Sequence, residues 1–173
     1  MFEEPARSPR ATEILALSAR FGRAWPFDPG AMMTTRAPAP SPCDTCPYRK
    51  DVPSGVWAAD EYLKMPAYDG PTETQDRRLW RCHQHDRQAS NARVCAGWVA
   101  THDTKNLLAL RVAVVTKEIS PETFQAILNY ATKVPVFASG AEAAAHGLRD
   151  EEAPGRDARQ AISKLRRTRN DLT

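Results

Sequence analysis

Residues 41–55 read SPCDTCPYRKDVPSG and hold the first two of the four cysteines in the chain. Cys43 and Cys46 are separated by two residues and are enclosed by Pro42 and Pro47. A Cys-x-x-Cys turn places two sulfur atoms close enough to bind one metal ion. The proline after the second cysteine prevents a helix from running through the turn. The stretch therefore indicates a metal-binding turn that needs two more ligands from elsewhere in the chain.

The other two cysteines, Cys82 and Cys95, have twelve residues between them, and thirty-five residues separate them from the first pair. Tertiary structure would have to bring this pair to the first one to complete a tetrahedron of thiolates. Zinc is the first choice of metal, since it accepts irregular ligand spacing and stabilises domains with small cores. A 4Fe-4S cluster is the alternative, because Cys-Pro pairs recur among ferredoxin ligands. The stretch CHQHD at residues 82–86 could supply a histidine nitrogen in place of one sulfur.

Two other interpretations of the cysteines stay open. Four reduced, buried cysteines would behave as small apolar residues without any ligand role. A thioredoxin-like redox pair would follow a strand and open a helix, whereas prolines flank Cys43 and Cys46 and no strand is predicted before them. The first residues contain no apolar run of signal-peptide length, so we expect a cytoplasmic protein. In a reducing cytoplasm, patterned cysteines favour a metal over disulfides.

The length of 173 residues predicts one domain with tails. Residues 1–40 are expected to form a flexible extension, with a short helix over 10–24 and a proline-rich linker after it. Residues 41–150 are expected to form a metal-binding helical domain around the cysteines, and residues 151–173 a basic C-terminal helix.

The predicted fold class is mainly α, and a small α+β arrangement stays open. Two helices, 105–118 and 120–132, are expected to form a core hairpin against which the irregular four-cysteine knuckle packs. The second helix has the clearer start signal, because Ser120 can cap it and Pro121 suits its first position. The longest apolar run, LLALRVAVV, is interrupted by Arg111 and is too short to cross a bilayer, so no membrane association is predicted.

The net charge of +3 is concentrated at the C-terminus, where residues 155–173 carry six basic and two acidic side chains. The predicted helix there has a narrow apolar stripe for docking and a basic face opposite to it. This face is expected to contact DNA, RNA or an acidic surface on a protein of transcription or replication. The alternative is a solvated helix whose arginines suit the negative end of the helix dipole. The basic residues are Arg156, Arg159, Lys164, Arg166, Arg167 and Arg169.

Catalytic signatures are not evident in the sequence. An enzyme with a Cys/His site remains a second alternative, but the chain has no HxxxH or HxE pair and no glycine-rich phosphate loop. A small-molecule substrate is therefore not expected. The function that the residues favour is a small metal-binding interaction protein, and a redox-sensing or electron-transferring iron–sulfur protein is its first alternative.

Three segments together resemble a family of small uncharacterised proteins found in actinobacteria and their phages. The shared pattern is a Pro-Cys-x-x-Cys-Pro-aromatic-Arg start at residues 42–49, a Cys-His pair at 82–83 and a Cys-x-Gly segment at 95–97. The resemblance extends over roughly residues 41–150. It implies a metal-binding module of bacterial or phage origin, and the family brings no established activity with it. Because the Cys-His pair is part of the shared pattern, the resemblance makes His83 the reserve ligand.

Overall fold

The computed structural model describes residues 35–84 and 91–168, which belong to the unit Met33–Thr173. The helix predicted over 10–24, together with His85 and Arg169, lies outside the described residues. Within them the fold is mainly helical, as predicted. The α-helices are α1 (Ala59–Leu63), α2 (Ala96–Thr101), α3 (Leu108–Val115), α4 (Pro121–Leu128), α5 (Gly140–Leu148) and α6 (Arg156–Thr168). Two short 3-10 helices, Met65–Tyr68 and Thr72–Thr74, follow α1.

Extended segments pair in the described residues only through isolated β-bridges, and no sheet is formed there. Arg36 pairs with Arg93 in parallel, and Arg81 pairs with Val94 in antiparallel orientation. A third bridge joins Arg49 to Val136. The alternative of a small α+β fold therefore appears in the described residues only as single bridges between loops.

Helices α3 and α4 contact each other and correspond to the predicted hairpin, but both are shorter than expected. Helix α3 ends at Val115, since Lys117 adopts a left-handed backbone conformation with φ of 59°. Helix α4 begins as predicted, because the Ser120 hydroxyl accepts a hydrogen bond of 3.1 Å from the backbone N–H of Thr123. Local capping chemistry thus determines where the second helix starts.

Helix α5 packs against α1 and against the 3-10 helix Met65–Tyr68. The close approach depends on Gly147, because a Cβ atom at this position would lie 2.0 Å from the ring of Tyr62. Tyr62 is almost fully buried, and its hydroxyl accepts a hydrogen bond of 3.1 Å from the backbone N–H of Trp57. This contact fixes the segment before α1, which forms one side of the candidate site.

The core is rich in aromatic side chains. Tyr68 makes edge contacts with Trp80, Trp98 and His102, with ring centroids 5.3 to 6.0 Å apart. Tyr48 also packs edge-on against Trp80 and His102, at 5.8 and 5.6 Å. Edge-to-face contacts at these distances are favourable for aromatic pairs. These rings fill the interior next to the cysteines, so the aromatic residues near the ligands serve mainly as core.

Candidate metal centre

The segment around Cys43 and Cys46 forms a tight turn, called the knuckle from here on and defined as residues 43–46. The backbone N–H of Cys46 donates to the carbonyl oxygen of Cys43 at 3.0 Å. The N–H of Arg49 in turn donates to the carbonyl oxygen of Cys46 at 3.0 Å. Two consecutive turns therefore shape the backbone that carries both cysteines.

Cys82 and Cys95 are brought together by the antiparallel bridge between Arg81 and Val94. The N–H of Cys82 donates to the carbonyl oxygen of Arg93, and the N–H of Cys95 donates to the carbonyl oxygen of Trp80, both at 2.8 Å. This pairing explains how an unusually wide spacing still places the two cysteines on adjacent, paired segments of the chain.

The two halves of the cysteine set meet at Cys46 and Cys95, whose Sγ atoms are 3.8 Å apart. Two thiolates bound to one tetrahedral zinc ion at about 2.3 Å would be separated by about 3.8 Å. All four cysteines are free thiols. No formed cage of three or more ligating side chains is present within residues 35–84 and 91–168.

The contacts between the thiols shift their pKa values in opposite directions. Hydrogen bonds with Cys46 and then with Cys82 lower the pKa of Cys43 to about 2. The pKa values of Cys46 and Cys82 are raised, in each case chiefly because the thiol donates its hydrogen bond to Cys43. Four thiolates can be close together only if a cation offsets their charge.

Exposure differs between the buried and the outer cysteines. Cys46 and Cys95 are 1% and 2% exposed, whereas Cys43 and Cys82 are partly exposed. Helix α2 closes the buried side, since Cys95 is its N-terminal cap and Gly97 lies directly against Cys46. A metal ion would therefore reach the thiols from the side of the outer pair.

Polar groups around the knuckle restrict its conformation. The Arg49 guanidinium donates to the carbonyl oxygens of Pro42 and Cys43 at 3.2 and 3.4 Å. The indole N–H of Trp57 donates to the carbonyl oxygen of Thr45 at 2.7 Å. Outer groups that orient ligands are a regular part of metal sites. Arg49 therefore restrains the backbone of the knuckle through two carbonyl oxygens.

The reserve ligand His83 lies next to the cysteines, but one of its ring nitrogens is already engaged. Its Nε2 is 3.0 Å from Oε2 of Glu61, and its ring packs against Trp57 with centroids 4.6 Å apart. The hydrogen bond from His83, together with one from Lys64, lowers the pKa of Glu61 to about 2, although burial of the carboxyl group acts in the opposite direction. If His83 were a metal ligand, it would bind through Nδ1.

Helix α6 packs on the knuckle through one face. Ala158 and Leu165 are buried, as the predicted apolar stripe requires. Nζ of Lys164 lies 3.4 Å from a carboxylate oxygen of Asp44, inside the knuckle. Arg166 and the other described basic residues of the helix, Arg156, Arg159 and Arg167, are exposed. The basic face is thus fixed beside the cysteines rather than apart from them.

These features define a small, mainly helical cysteine-motif protein whose basic terminal helix rests on its cysteine turn. The chain belongs to the family of unknown function DUF6283, whose model matches residues 38–169. The match is wider than the resemblance over 41–150 and includes α6, so the helix is part of the family's common region. Searches of curated proteins and of solved structures give no match. None of the described helices is long and apolar enough to cross a membrane.

Two features of the site were not predicted from the sequence. The contact of Gly97 with Cys46 has a signal in the Cys-x-Gly segment, because a glycine two residues after a cysteine permits a close approach of the backbone. The ion pair between Asp44 and Lys164 has no local signal, since its partners are 120 positions apart.

Proposed function

We propose that the protein is a small metal-binding module in which Cys43, Cys46, Cys82 and Cys95 hold one structural zinc ion. The observation that carries the proposal is the Sγ–Sγ distance of 3.8 Å between Cys46 and Cys95, which joins the two cysteine pairs at the separation expected on one ion. The set of four sulfur donors suits zinc. Bound zinc would convert the neighbouring thiols to thiolates and tie the knuckle to the segments that carry the other pair.

An iron–sulfur cluster is less well supported by this geometry. In a 4Fe-4S cluster each cysteine binds a different iron atom, so the ligand sulfurs stand farther apart than they do around a single ion. The contact between Cys46 and Cys95 is short enough for one shared metal. A cluster would need the two cysteine pairs to separate.

We further propose that the module binds nucleic acid through the exposed basic face of α6. Arg166 and Arg167 are exposed in the last turns of the helix, while Ala158 and Leu165 anchor the opposite face. The packing of Leu165 beside Cys43 and Thr45 makes the orientation of this basic face depend on the knuckle. Zinc would thus fix the helix that meets the phosphates. DNA and RNA both present the required polyanion.

The metal is tested on the purified full chain by elemental analysis and absorption spectroscopy. One equivalent of zinc and no visible absorption band are expected, and Cys95→Ser should lose the metal. The control is Ser163→Ala on the exposed side of α6, which should keep it. A visible absorption band together with bound iron would show that the site holds an iron–sulfur cluster and not zinc. A metal-free protein whose melting temperature does not respond to zinc or a chelator would remove the metal-binding proposal.

Nucleic-acid binding is tested with labelled duplex at low and moderate salt. The affinity should fall by about 0.9 log units per phosphate contact for each log unit of salt. The double variant Arg166→Gln/Arg167→Gln should bind more weakly and with a smaller salt slope. Its control, Lys105→Gln/Lys133→Gln, removes two exposed charges elsewhere and should bind like the parent. Equal affinities for both double variants would contradict the role of α6.

A further inference from the structure

A pocket of about 700 Å³ lies next to the outer cysteine Cys82. Its apolar wall includes Trp57, Tyr68, Leu79, Trp80 and Val112, and the outer cysteine Cys82 reaches into its lining. Binding sites for small molecules span about 300 to 1,000 Å³ and combine apolar walls with a few polar groups. The pocket has the size and composition of such a site.

The charges at the mouth of the pocket favour an anion. Three basic side chains are held by carboxylates: Lys64 by Glu61, Arg78 by Asp76 and Arg81 by Glu118. Arg77 also lines the pocket and is exposed, and none of the ion pairs in the described part of the chain involves it. A ligand with a flat apolar part and one negative group would fit both the wall and this guanidinium.

A hydrogen bond between Trp57 and Thr45 connects the pocket to the knuckle, on which the basic helix rests. Trp57 lines the pocket, and its indole N–H donates to the carbonyl oxygen of Thr45. The Thr45 hydroxyl accepts from Gln84 at 2.9 Å, and both residues line a smaller groove together with Lys164. Two hydrogen bonds therefore connect the wall of the pocket to the groove beside α6.

We propose that this pocket binds one nucleotide, with its base against the wall that contains Trp57 and Trp80 and its phosphate at Arg77. Contacts between aromatic side chains and bases, combined with a basic track for the backbone, are the usual way in which proteins hold single strands. The choice of a nucleotide among flat anions rests on the proposed nucleic-acid binding of α6. The nucleotide is either free or part of a single strand, and the chemistry of recognition is the same.

The first test titrates the zinc-loaded full chain with AMP and UMP and follows tryptophan fluorescence and heat. Saturable binding is expected, while ribose 5-phosphate, which lacks the base, should bind at least tenfold more weakly. Arg77→Gln should weaken the mononucleotide by about tenfold, the equivalent of one charge-assisted contact of ~1.4 kcal/mol. The control Arg111→Gln removes an exposed arginine outside the pocket and should have no effect. Equal affinities of Arg77→Gln and the parent would overturn the proposal, as would equal binding of ribose 5-phosphate.

A second variant fills the pocket instead of changing its charge. Val112→Trp should abolish mononucleotide binding and leave duplex binding by α6 unchanged, provided that circular dichroism and zinc content match the parent. If this variant does not fold, Arg77→Gln alone decides the outcome. A short oligothymidylate that binds more than tenfold tighter than an abasic strand of the same length would assign the site to a nucleotide within a strand. Equal affinities would assign it to a free nucleotide.

The two proposals fail in different ways. Loss of duplex binding in the parent, with mononucleotide binding retained, would remove the role of α6 and leave the pocket in place. Duplex binding by the parent without any mononucleotide binding would remove the pocket and leave the role of α6. Arg166→Gln/Arg167→Gln should affect only the duplex, and Arg77→Gln should affect only the mononucleotide.

Discussion

Gly97 lies so close to Cys46 that a Cβ atom on the glycine would be 2.3 Å from the Sγ atom. The same Cβ would lie 2.9 Å from Cβ of Tyr48. Both neighbours are almost fully buried, so neither can move away without disturbing the core. The first turn of α2 therefore holds the Cys46 thiol in position, and only glycine permits this approach.

The first prediction follows from this contact. Gly97→Ala should displace Cys46, lower the zinc content and destabilise the fold by about 1 to 3 kcal/mol, the usual range for overpacked cores. The control is Gly155→Ala, because a Cβ on Gly155 would have no neighbour within 4 Å. Elemental analysis and chemical denaturation provide the two readouts. A Gly97→Ala protein with full zinc content and parental stability would contradict the contact.

The second prediction concerns Tyr48, where a substitution should maintain or increase the free energy of unfolding. Its hydroxyl is buried and has no hydrogen-bond partner within residues 35–84 and 91–168, and the same burial raises the pKa of the side chain. An unsatisfied buried polar group costs about 1 to 3 kcal/mol. Tyr48→Phe should therefore unfold at the same or a higher denaturant concentration, with a gain of up to about 1 kcal/mol. A loss of more than 1 kcal/mol would show that the hydroxyl has a partner, and Tyr68→Phe, which removes a hydrogen bond to the carbonyl oxygen of Arg78, provides the contrast.

His102 leads to a prediction about pH. Burial lowers the pKa of His102 below its ordinary value of 6.5, and the carbonyl oxygen of Trp98 and the carboxylate of Asp69 offset only part of this effect. The folded state therefore binds the proton less readily than the unfolded chain does. The stability linked to His102 is present above about pH 6.5 and is lost as the pH falls below it.

The measurement for His102 is an NMR titration of its ring proton. A midpoint below 6.5 is expected, and the exposed ring of a histidine in an unfolded peptide of the same sequence is the reference. A midpoint above 6.5 in the folded protein would mean that Asp69 and Trp98 outweigh burial. His102→Gln should reduce the acid sensitivity of the protein in the same pH range.

Local signals in the sequence predicted some elements well and left out others. Ser120 and Pro121 determine the start of α4 through capping chemistry, which depends on neighbours in the chain. The helix predicted over 105–118 extends past Val115, where α3 ends. The left-handed conformation after the helix is adopted by Lys117, so the sequence lacks the glycine that usually marks such an end. The cysteines could be chosen as a set from their types and spacing. The sequence did not predict how the segments that carry Cys82 and Cys95 come together. That pairing depends on the bridge between Arg81 and Val94, whose partners are distant in sequence.

The last prediction concerns the docking of α6. Leu165 is 3% exposed and lies in the groove lined by Cys43 and Thr45, so it anchors the helix to the knuckle. The ion pair of Lys164 with Asp44 adds little, because both side chains are largely exposed and such pairs contribute about 0 to 1 kcal/mol. Leu165→Ala should therefore cost about 2 to 5 kcal/mol, whereas Lys164→Gln should cost less than about 1 kcal/mol.

Chemical denaturation measures both variants, and limited proteolysis reports whether α6 leaves the surface. Gln160→Ala on the exposed face of the same helix is the control and should change the stability by less than about 0.5 kcal/mol. Because the basic face depends on this anchor, Leu165→Ala should also weaken duplex binding, although it removes no charge. Parental protease resistance together with parental duplex affinity in Leu165→Ala would mean that the helix is held by other contacts.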